Sequence, residues 1–244
     1  MAGLVPLKVT ASLQQGIVLD PLYGVSLDGI LAGQVRASSA VSEGLCGAPS
    51  LLDGGLSGVE VISWDLPLQQ CGEGQDWHWV ATTGLLVDRV GVPVPLIPDT
   101  HRLLGEVDEI RARQIAISLP KNLGGARGRY RRRVTPVISV PAAAIVWHAV
   151  GNLEEIEKLL TPLTSIGSRR ASGEGAVISW SIEEVSSVPD TWVFGHSHPN
   201  GEPGRLLPLS CADRLGLELS QTVVAGIRPP MFHQETQRTL VVPS

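Results

Sequence analysis

The side chains with the most evident chemistry lie in one short segment, KNLGGARGRYRRR, at residues 121–133. Six cations and a tyrosine surround three glycines there: Lys121, Arg127, Arg129, Tyr130, Arg131, Arg132 and Arg133. Guanidinium groups bind pairs of phosphate oxygens, glycines let backbone N–H groups approach an anion, and a tyrosine ring can stack on a base. The segment predicts a contact with a nucleic-acid backbone. A solvated basic loop, or a contact with an acidic protein, is the alternative.

A second basic segment, the glycine-rich loop at residues 167–175 (GSRRASGEG), also combines arginines with glycines. Its glycines permit positive φ, and its serines and free N–H groups suit phosphate oxygens. The alternative is a glycine-rich helix C-cap followed by a turn. This loop joins the helix to the second strand of a strand–helix–strand unit, and the first basic segment leads into the same unit through residues 137–140, so we expect the two segments to lie close together. The predicted contacts in this loop are Gly167, Ser168, Arg169, Arg170, Ser172, Gly173 and Gly175.

The strand–helix–strand unit that positions the glycine-rich loop has the strongest pattern in the chain. Residues 143–150 form a continuous apolar run, which is typical of a central strand. Asn152 and Glu155 have the spacing of a capping box, and the following helix is expected to end near Thr164. Residues 176–182 alternate between apolar and polar side chains, which predicts a second strand. Such a unit is half of a ferredoxin-like fold.

The other half of that fold is predicted near the start of the chain. Residues 7–13 alternate as a strand does, and Ser26 is placed to cap a helix that extends to about Arg36. Residues 37–58 are rich in Ser, Gly and Ala and predict a long loop, followed by strands at residues 59–64 and 77–82.

These elements predict an α+β fold with two parts. Residues 1–188 are expected to form a ferredoxin-like or RRM-like domain with long Gly/Pro-rich insertions. Residues 189–244 are rich in Pro and Gly with little periodicity, and they are expected to form an irregular C-terminal extension packed on that domain.

Composition limits where a nucleic acid could bind. The formal net charge of the 244-residue chain is −5, so a binding site must be local. No apolar run approaches the ~20 residues of a membrane span, and no signal peptide is evident, so we expect a cytoplasmic protein without membrane contact. The cysteines Cys46, Cys71 and Cys211 share no metal-like spacing and predict free thiols, so no metal or cofactor is expected.

One histidine motif offers a different chemistry. His196-Ser-His198-Pro199, followed by Ser210 and Asp213, is similar to the His-x-His-Pro…Ser-x-x-Asp pattern of the JAMM zinc metalloproteases. Two imidazoles and a carboxylate could hold Zn²⁺ and leave one position for water. The spacing before the serine is longer than in that family, which favours two histidines in a surface turn.

Several motifs follow one another in an order that resembles a known family. They are LDGILAG at 27–33, the segment at 121–133, IGSRRASGEGAVISW at 166–180, RLLP at 205–208 and GIRPPMF at 226–232. In this order the chain resembles the Cas-five-like RAMP subunits of type IV CRISPR effector complexes. The resemblance implies an RRM-like RAMP domain that holds the 5′ end of a guide RNA at the foot of a helical protein filament.

The resemblance also implies partners and further site residues. The partners are guide RNA, filament-forming backbone RAMP subunits and other subunits of the effector complex. Arg205 and Arg228 match arginines that recur in the family and join the expected RNA contacts. We therefore expect a non-catalytic RNA-binding subunit. A zinc hydrolase that uses His196, His198 and Asp213, and a purely structural interaction protein, are the alternatives.

Overall fold

The computed structural model describes residues 3–19, 24–42, 65–105, 133–170, 173–189, 192–199, 201–216 and 221–242. The strands are β1 (Val5–Leu13), β2 (Gln70–Cys71), β3 (His78–Trp79), β4 (Leu85–Val87), β5 (Asp99–Gly105), β6 (Arg133–Ser139), β7 (Ala144–Gly151), β8 (Val177–Glu184), β9 (Leu207–Pro208), β10 (Gln221–Gly226) and β11 (Gln237–Val242). The helices are α1 (Leu27–Ser42), α2 (Leu153–Leu160) and α3 (Leu209–Arg214), with a 3₁₀ turn at Gln234–Thr236.

Four strands form the main antiparallel sheet, in the order β4–β7–β1–β8. Strand β1 pairs with β7 from Val5↔Gly151 to Ser12↔Ala144, and on its other side with β8. Helix α1 lies between β1 and β4 in the chain, α2 lies between β7 and β8, and the two helices contact each other. This order and pairing are compatible with the predicted ferredoxin-like fold, and the mixed α/β class is confirmed.

The main core lies between this sheet and the two helices because one face of each central strand is apolar. In β1, Leu7, Val9, Ala11 and Leu13 are buried, and the residues between them are partly exposed. Trp147 of β7 is fully buried, and its indole N–H donates to the carbonyl of Val25 at 2.7 Å. That bond satisfies the polar end of the ring and attaches the start of α1 to the sheet.

Helix α2 begins where the capping signal predicts. The Asn152 side chain accepts a hydrogen bond from the backbone N–H of Glu155 at 3.3 Å. The helix ends at Leu160, four residues before the predicted end, and Thr161 donates its hydroxyl proton to the carbonyl of Glu157 at 2.7 Å. The predicted strand after the glycine-rich loop is present as β8.

Helix α1 is longer than predicted. Its start is confirmed, because Ser26 Oγ accepts from the N–H of Gly29 at 3.3 Å. It continues to Ser42, so the prediction of a loop from residue 37 is wrong for residues 37–42. The Ser38 hydroxyl donates to the carbonyl of Gln34 at 3.0 Å, so this serine is satisfied within the helix. Residues 43–58 and the strand predicted at 59–64 lie outside the described residues.

The C-terminal part is more regular than predicted. Strands β10, β11 and β9 form a second antiparallel sheet, in that order. Its core contains Leu206, Ala225, Ile227 and Leu240. The predicted irregular extension is therefore corrected to a small sheet with a short helix. Cross-strand pairing stabilises a strand as short as β9, which has too few residues to show a period.

Residues from the start of the C-terminal part pack against the main sheet. The ring of His148 on β7 lies 4.8 Å from the Trp192 ring and 5.6 Å from the Phe194 ring, between centroids. Burial lowers the pKa of His148 to about 4, so the imidazole is neutral at physiological pH.

In the described part of the chain, no helix has both the length and the apolar character that crossing a membrane requires.

Candidate nucleic-acid interface

The ends of the glycine-rich loop are fixed by main-chain hydrogen bonds. The N–H of Ile166 donates to the carbonyl of Gly175 at 2.9 Å, which closes the base of the loop. The N–H of Ser168 donates to Val18 and the N–H of Gly175 donates to Gly16, both at 3.1 Å. The loop is therefore attached to the chain that follows β1, and its tip projects from a fixed base.

Positive φ angles shape the loop. Gly167, Gly173 and Gly175 have φ of 78°, 88° and 64°. A Cβ atom on Gly175 would overlap the carbonyl oxygen of Ile166, so both the conformation and the space demand glycine at that position. Arg169 also has a positive φ, of 61°, which costs a non-glycine residue on the order of 1 kcal/mol. Strain of this kind clusters at binding sites.

The tip of the loop presents two cations to solvent. Arg169 and Arg170 are exposed, and no hydrogen bond or ion pair joins their side chains to another residue that the structure describes. The one carboxylate within the loop, on Glu174, is buried. The loop therefore offers free guanidinium groups to an anion. Ser172 lies outside the described residues.

A groove of about 480 Å³ runs between the glycine-rich loop and the N-terminal half of α1. Small residues at every fourth position of the helix, Gly29, Gly33 and Ala37, line one side. No histidine, cysteine or carboxylate is among the described residues that line this groove. The lining residues are Val18, Gly24, Val25, Ser26, Gly29, Ile30, Gly33, Gln34, Ala37, Leu163, Ser165, Ile166, Gly167, Ser168 and Arg170.

The groove is polarised in favour of an anion. The N-terminus of α1 carries the positive end of the helix dipole, and Ser26 and Gly29 at this end line the groove. Asp28 in the first turn is fully buried, and its carboxylate lies 3.4 Å from the Arg205 guanidinium, which offsets its charge. The helix end and Arg170 therefore present positive potential to the same space. The sequence singled out LDGILAG as a family motif but did not predict that it lines this groove.

Arg205, an expected RNA contact, is buried and bound within the protein. Its guanidinium donates to the carbonyls of Trp79, Ala81, Leu206 and Ile227, and it pairs with Asp28. Its side chain is 7% exposed. These bonds leave Arg205 no access to a phosphate, so the expectation that it contacts RNA is corrected to a structural role.

Arg228, the other arginine suggested by the family resemblance, is partly buried. Its guanidinium carbon lies 4.2 Å from the centroid of the Trp77 ring, and Nη1 donates to the carbonyls of Gln75 and Trp77 at 3.0 and 2.9 Å. Burial, followed by the charge of Arg238, lowers the pKa of Arg228. These contacts hold the hairpin loop between β2 and β3, and Arg228 does not line the groove.

The first basic segment cannot be placed beside the second. Residues 121–132, from Lys121 to Arg132, lie outside the described residues, and for Arg133 the structure describes only its position in β6. The expected convergence of the two basic segments stays a prediction.

The histidines of the alternative zinc-hydrolase motif lie in different surroundings. His196 Nε2 is 3.2 Å from His78 Nε2, whereas the His198 ring packs near His148 with centroids 6.3 Å apart. Both histidines are buried, so the expectation that they lie in a surface turn is wrong. Asp213 is exposed. Among the described residues, the group of potential metal ligands that contains His196 includes neither His198 nor Asp213.

Comparison with known proteins identifies one family. Its sequence model, described as CRISPR type IV associated protein Csf3, matches residues 104–243. A search of the curated proteins finds no match. The matched residues include the glycine-rich loop and the Arg-Pro-Pro segment that supported the resemblance to type IV CRISPR subunits. Because this match covers more than half of the sequence, the chain belongs to the Csf3 family of CRISPR type IV associated proteins.

Proposed function

We propose that this protein is a non-catalytic RNA-binding subunit of a type IV CRISPR ribonucleoprotein complex. In this proposal an RRM-like RAMP domain holds the 5′ end of the guide RNA at the foot of a filament of backbone subunits. The family membership supports a place in a CRISPR complex. The RNA contact, the 5′ end and the neighbouring subunits are proposed here, and cytoplasmic localisation follows from them.

One observation carries the RNA contact. The glycine-rich loop holds two exposed arginines, Arg169 and Arg170, at the edge of a groove that the N-terminus of α1 also borders. Guanidinium groups and helix N-termini are both recurrent partners of phosphate oxygens. The strained backbone of Arg169 also supports a phosphate contact, because a fold tolerates such a conformation where the side chain must point in a particular direction.

The composition of the groove supports binding without catalysis. Cleavage of RNA by general acid–base chemistry uses groups such as histidine, lysine or carboxylates, and none of these is among the described residues that line the groove. The lining is made of glycine, serine, aliphatic side chains and one arginine, which suits sequence-tolerant contacts with a backbone. The cations from Lys121 to Arg133 remain predicted contacts on the basis of sequence.

The test removes the two loop arginines together. Arg169→Ala combined with Arg170→Ala should weaken retention of a guide-length single-stranded RNA. Each arginine that binds a phosphate releases counterions from the RNA, so fewer counterions are released when these two contacts are lost. The slope of log K against log salt should become shallower by ~1–2 units. Affinity measured by filter binding at several salt concentrations gives both quantities.

A charge-matched control uses Arg89→Ala combined with Lys158→Ala. Both side chains are exposed, both substitutions remove one positive charge each, and neither side chain lines the groove. The control should keep the wild-type affinity to within about twofold, because distant surface charges are screened. If both double variants lose the same RNA affinity, the loss is explained by net charge alone. An unchanged salt slope in the loop variant would refute the loop as a phosphate contact.

A further inference from the structure

Four side chains that the RNA interface does not use converge at one point. Cys71 ends β2, His78 begins β3, His196 lies in the turn before β9, and Cys211 lies in α3. The sulfur and nitrogen atoms of the four residues all lie within 4.8 Å of one another. His78, His196 and Cys211 are buried, and Cys71 is partly buried.

Two separations within this cluster are close to those of a tetrahedral metal centre. His196 Nε2 lies 3.2 Å from His78 Nε2, and Cys211 Sγ lies 3.8 Å from His78 Nε2. In a tetrahedral zinc site with ordinary bond lengths, two nitrogens are ~3.3 Å apart and a nitrogen and a sulfur ~3.5 Å apart. The two histidine nitrogens and the sulfur of Cys211 are therefore spaced much as ligands around one ion are, and Cys71 Sγ lies within 4.8 Å of each of them.

The outer nitrogens of both rings are oriented as in metal-binding histidines. His78 Nδ1 lies 3.3 Å from the carbonyl oxygen of Asp76, and His196 Nδ1 lies 3.4 Å from that of Phe194. A carbonyl oxygen favours a proton on Nδ1, which leaves the lone pair of each Nε2 directed into the cluster. With both protons on Nδ1, the two Nε2 lone pairs lie 3.2 Å apart and repel each other; either a cation between them or a proton moved to one Nε2 removes that repulsion.

The alternative of a charged imidazolium is unfavourable here. Both His78 and His196 are buried, and burial disfavours the charged form of an imidazole. Neutral imidazole is the form that binds a metal.

The cysteine side of the cluster has a partner suited to thiolates. Arg214 Nη2 lies 2.8 Å from Cys71 Sγ and 3.5 Å from Cys211 Sγ, so one guanidinium donates to both sulfurs. Donors of this kind orient thiolate ligands and stabilise their charge. Two thiolates and a divalent cation are neutral together, which suits a cluster that borders the apolar side chains of Leu207, Ala212 and Val241.

We propose that Cys71, His78, His196 and Cys211 form a structural zinc site that joins the β2–β3 hairpin to the C-terminal part of the chain. Two cysteines and two histidines in a tetrahedron are characteristic of Zn²⁺. Four protein ligands fill the coordination sphere and leave no position for water, so the site stabilises the fold and does not activate a nucleophile. This inference is independent of the proposed RNA contact.

The site departs from the sequence prediction, which assigned no metal. Its ligands come from β2, β3, the turn before β9 and α3, and the two cysteines are far apart in the chain. It also differs from the hydrolase alternative, which shares only His196. A disulfide between Cys71 and Cys211 is the competing use of the same two sulfurs, and the experiment distinguishes it.

The experiment measures the zinc content of the full chain, produced in zinc-supplemented medium and purified without chelators. The wild-type protein should contain about one zinc per chain. Cys71→Ser and Cys211→Ser should each lower the content at least tenfold, because even changes around the ligands cost ~10–100-fold in affinity. Asp213→Asn and His198→Gln are the matched controls from the same segments, and both should keep the zinc.

The proposal is overturned by a wild-type protein without zinc, by zinc retained in both cysteine variants, or by zinc lost in either control, Asp213→Asn or His198→Gln. If the cysteine variants fail to fold, the wild-type protein decides alone. After removal of zinc, Co²⁺ should produce the visible absorption of a tetrahedral cobalt–thiolate centre. Absence of that spectrum, or a Cys71–Cys211 disulfide found by thiol titration and mass, refutes the site.

Discussion

Arg205 donates hydrogen bonds to four main-chain carbonyls and lies 3.4 Å from the buried carboxylate of Asp28. Arg169 and Arg170 are the same kind of side chain, but they stand exposed at the tip of the glycine-rich loop. The surroundings decide the difference: a buried guanidinium must have its N–H groups satisfied inside the protein, whereas an exposed one keeps them for a ligand.

Replacement of Arg205 tests its structural role. Arg205→Ala leaves Asp28 buried without its cation and removes donors from four carbonyls, so it should lower the free energy of unfolding by roughly 3–5 kcal/mol. Urea unfolding followed by tryptophan fluorescence measures the change. Arg170→Ala is the exposed comparison and should change stability by less than ~0.5 kcal/mol. If the Arg205→Ala protein is as stable as the wild type but no longer binds RNA, the structural role is refuted and Arg205 contacts RNA.

At the scale of elements, α1 and the glycine-rich loop form the two sides of the candidate interface. The helix presents Gly29, Gly33 and Ala37 to the groove, and the width of the groove depends on their small size. Gly33 is the most informative of these positions, because a Cβ atom built there meets nothing within 4 Å. A side chain at this position enters open space and occupies the groove.

Filling the groove should impair binding without damage to the fold. Gly33→Leu replaces a poor helix former and should leave stability unchanged or raise it by up to ~1 kcal/mol. RNA affinity should fall about tenfold, the equivalent of ~1.4 kcal/mol, if RNA occupies this groove. Parallel thermal melts and filter binding separate the two effects. Ser38→Leu, exposed on the same helix but outside the groove lining, should bind as the wild type does. Full affinity in Gly33→Leu would place the RNA elsewhere.

The elements with local signals could be predicted from sequence. The alternation in β1, the apolar run of β7 and the Asn152 cap of α2 each depend on neighbours in the chain, and each is present. Strand β2 was not predicted, and the strand predicted at residues 77–82 is present only as β3, at His78–Trp79. Two residues carry no period, and the pairing of these two strands depends on the rest of the fold.

The candidate site shows the same division. The glycines and arginines of the loop were evident from sequence, because positive φ and surface charge are properties of single residues. The groove and the cluster of Cys71, His78, His196 and Cys211 were not, because they exist only after distant segments have packed together.

At the scale of the whole molecule, several contacts connect the main sheet to the C-terminal sheet. Thr83, which precedes β4, bonds the carbonyl of Gly204 through both its N–H and its hydroxyl, at 2.7 and 2.6 Å. Arg205 joins α1 and the chain around β3 to Ile227, which follows β10. The apolar cores of the C-terminal part are small, so its stability depends on these connections and on the proposed zinc site.

The two sheets should therefore unfold together, in one cooperative transition. Hydrogen exchange followed by mass spectrometry should give opening free energies for β10 and β11 that agree with that of β7 to within ~1 kcal/mol, because one global opening exposes all three strands. In Arg205→Ala the loss of the buried pair should uncouple the sheets, and β10 and β11 should then exchange through a smaller opening than β7 does. If β10 and β11 already open at much lower free energy in the wild-type protein, the contacts through Thr83 and Arg205 do not couple the sheets. Residues 189–244 would then be a separate folding unit attached to the first.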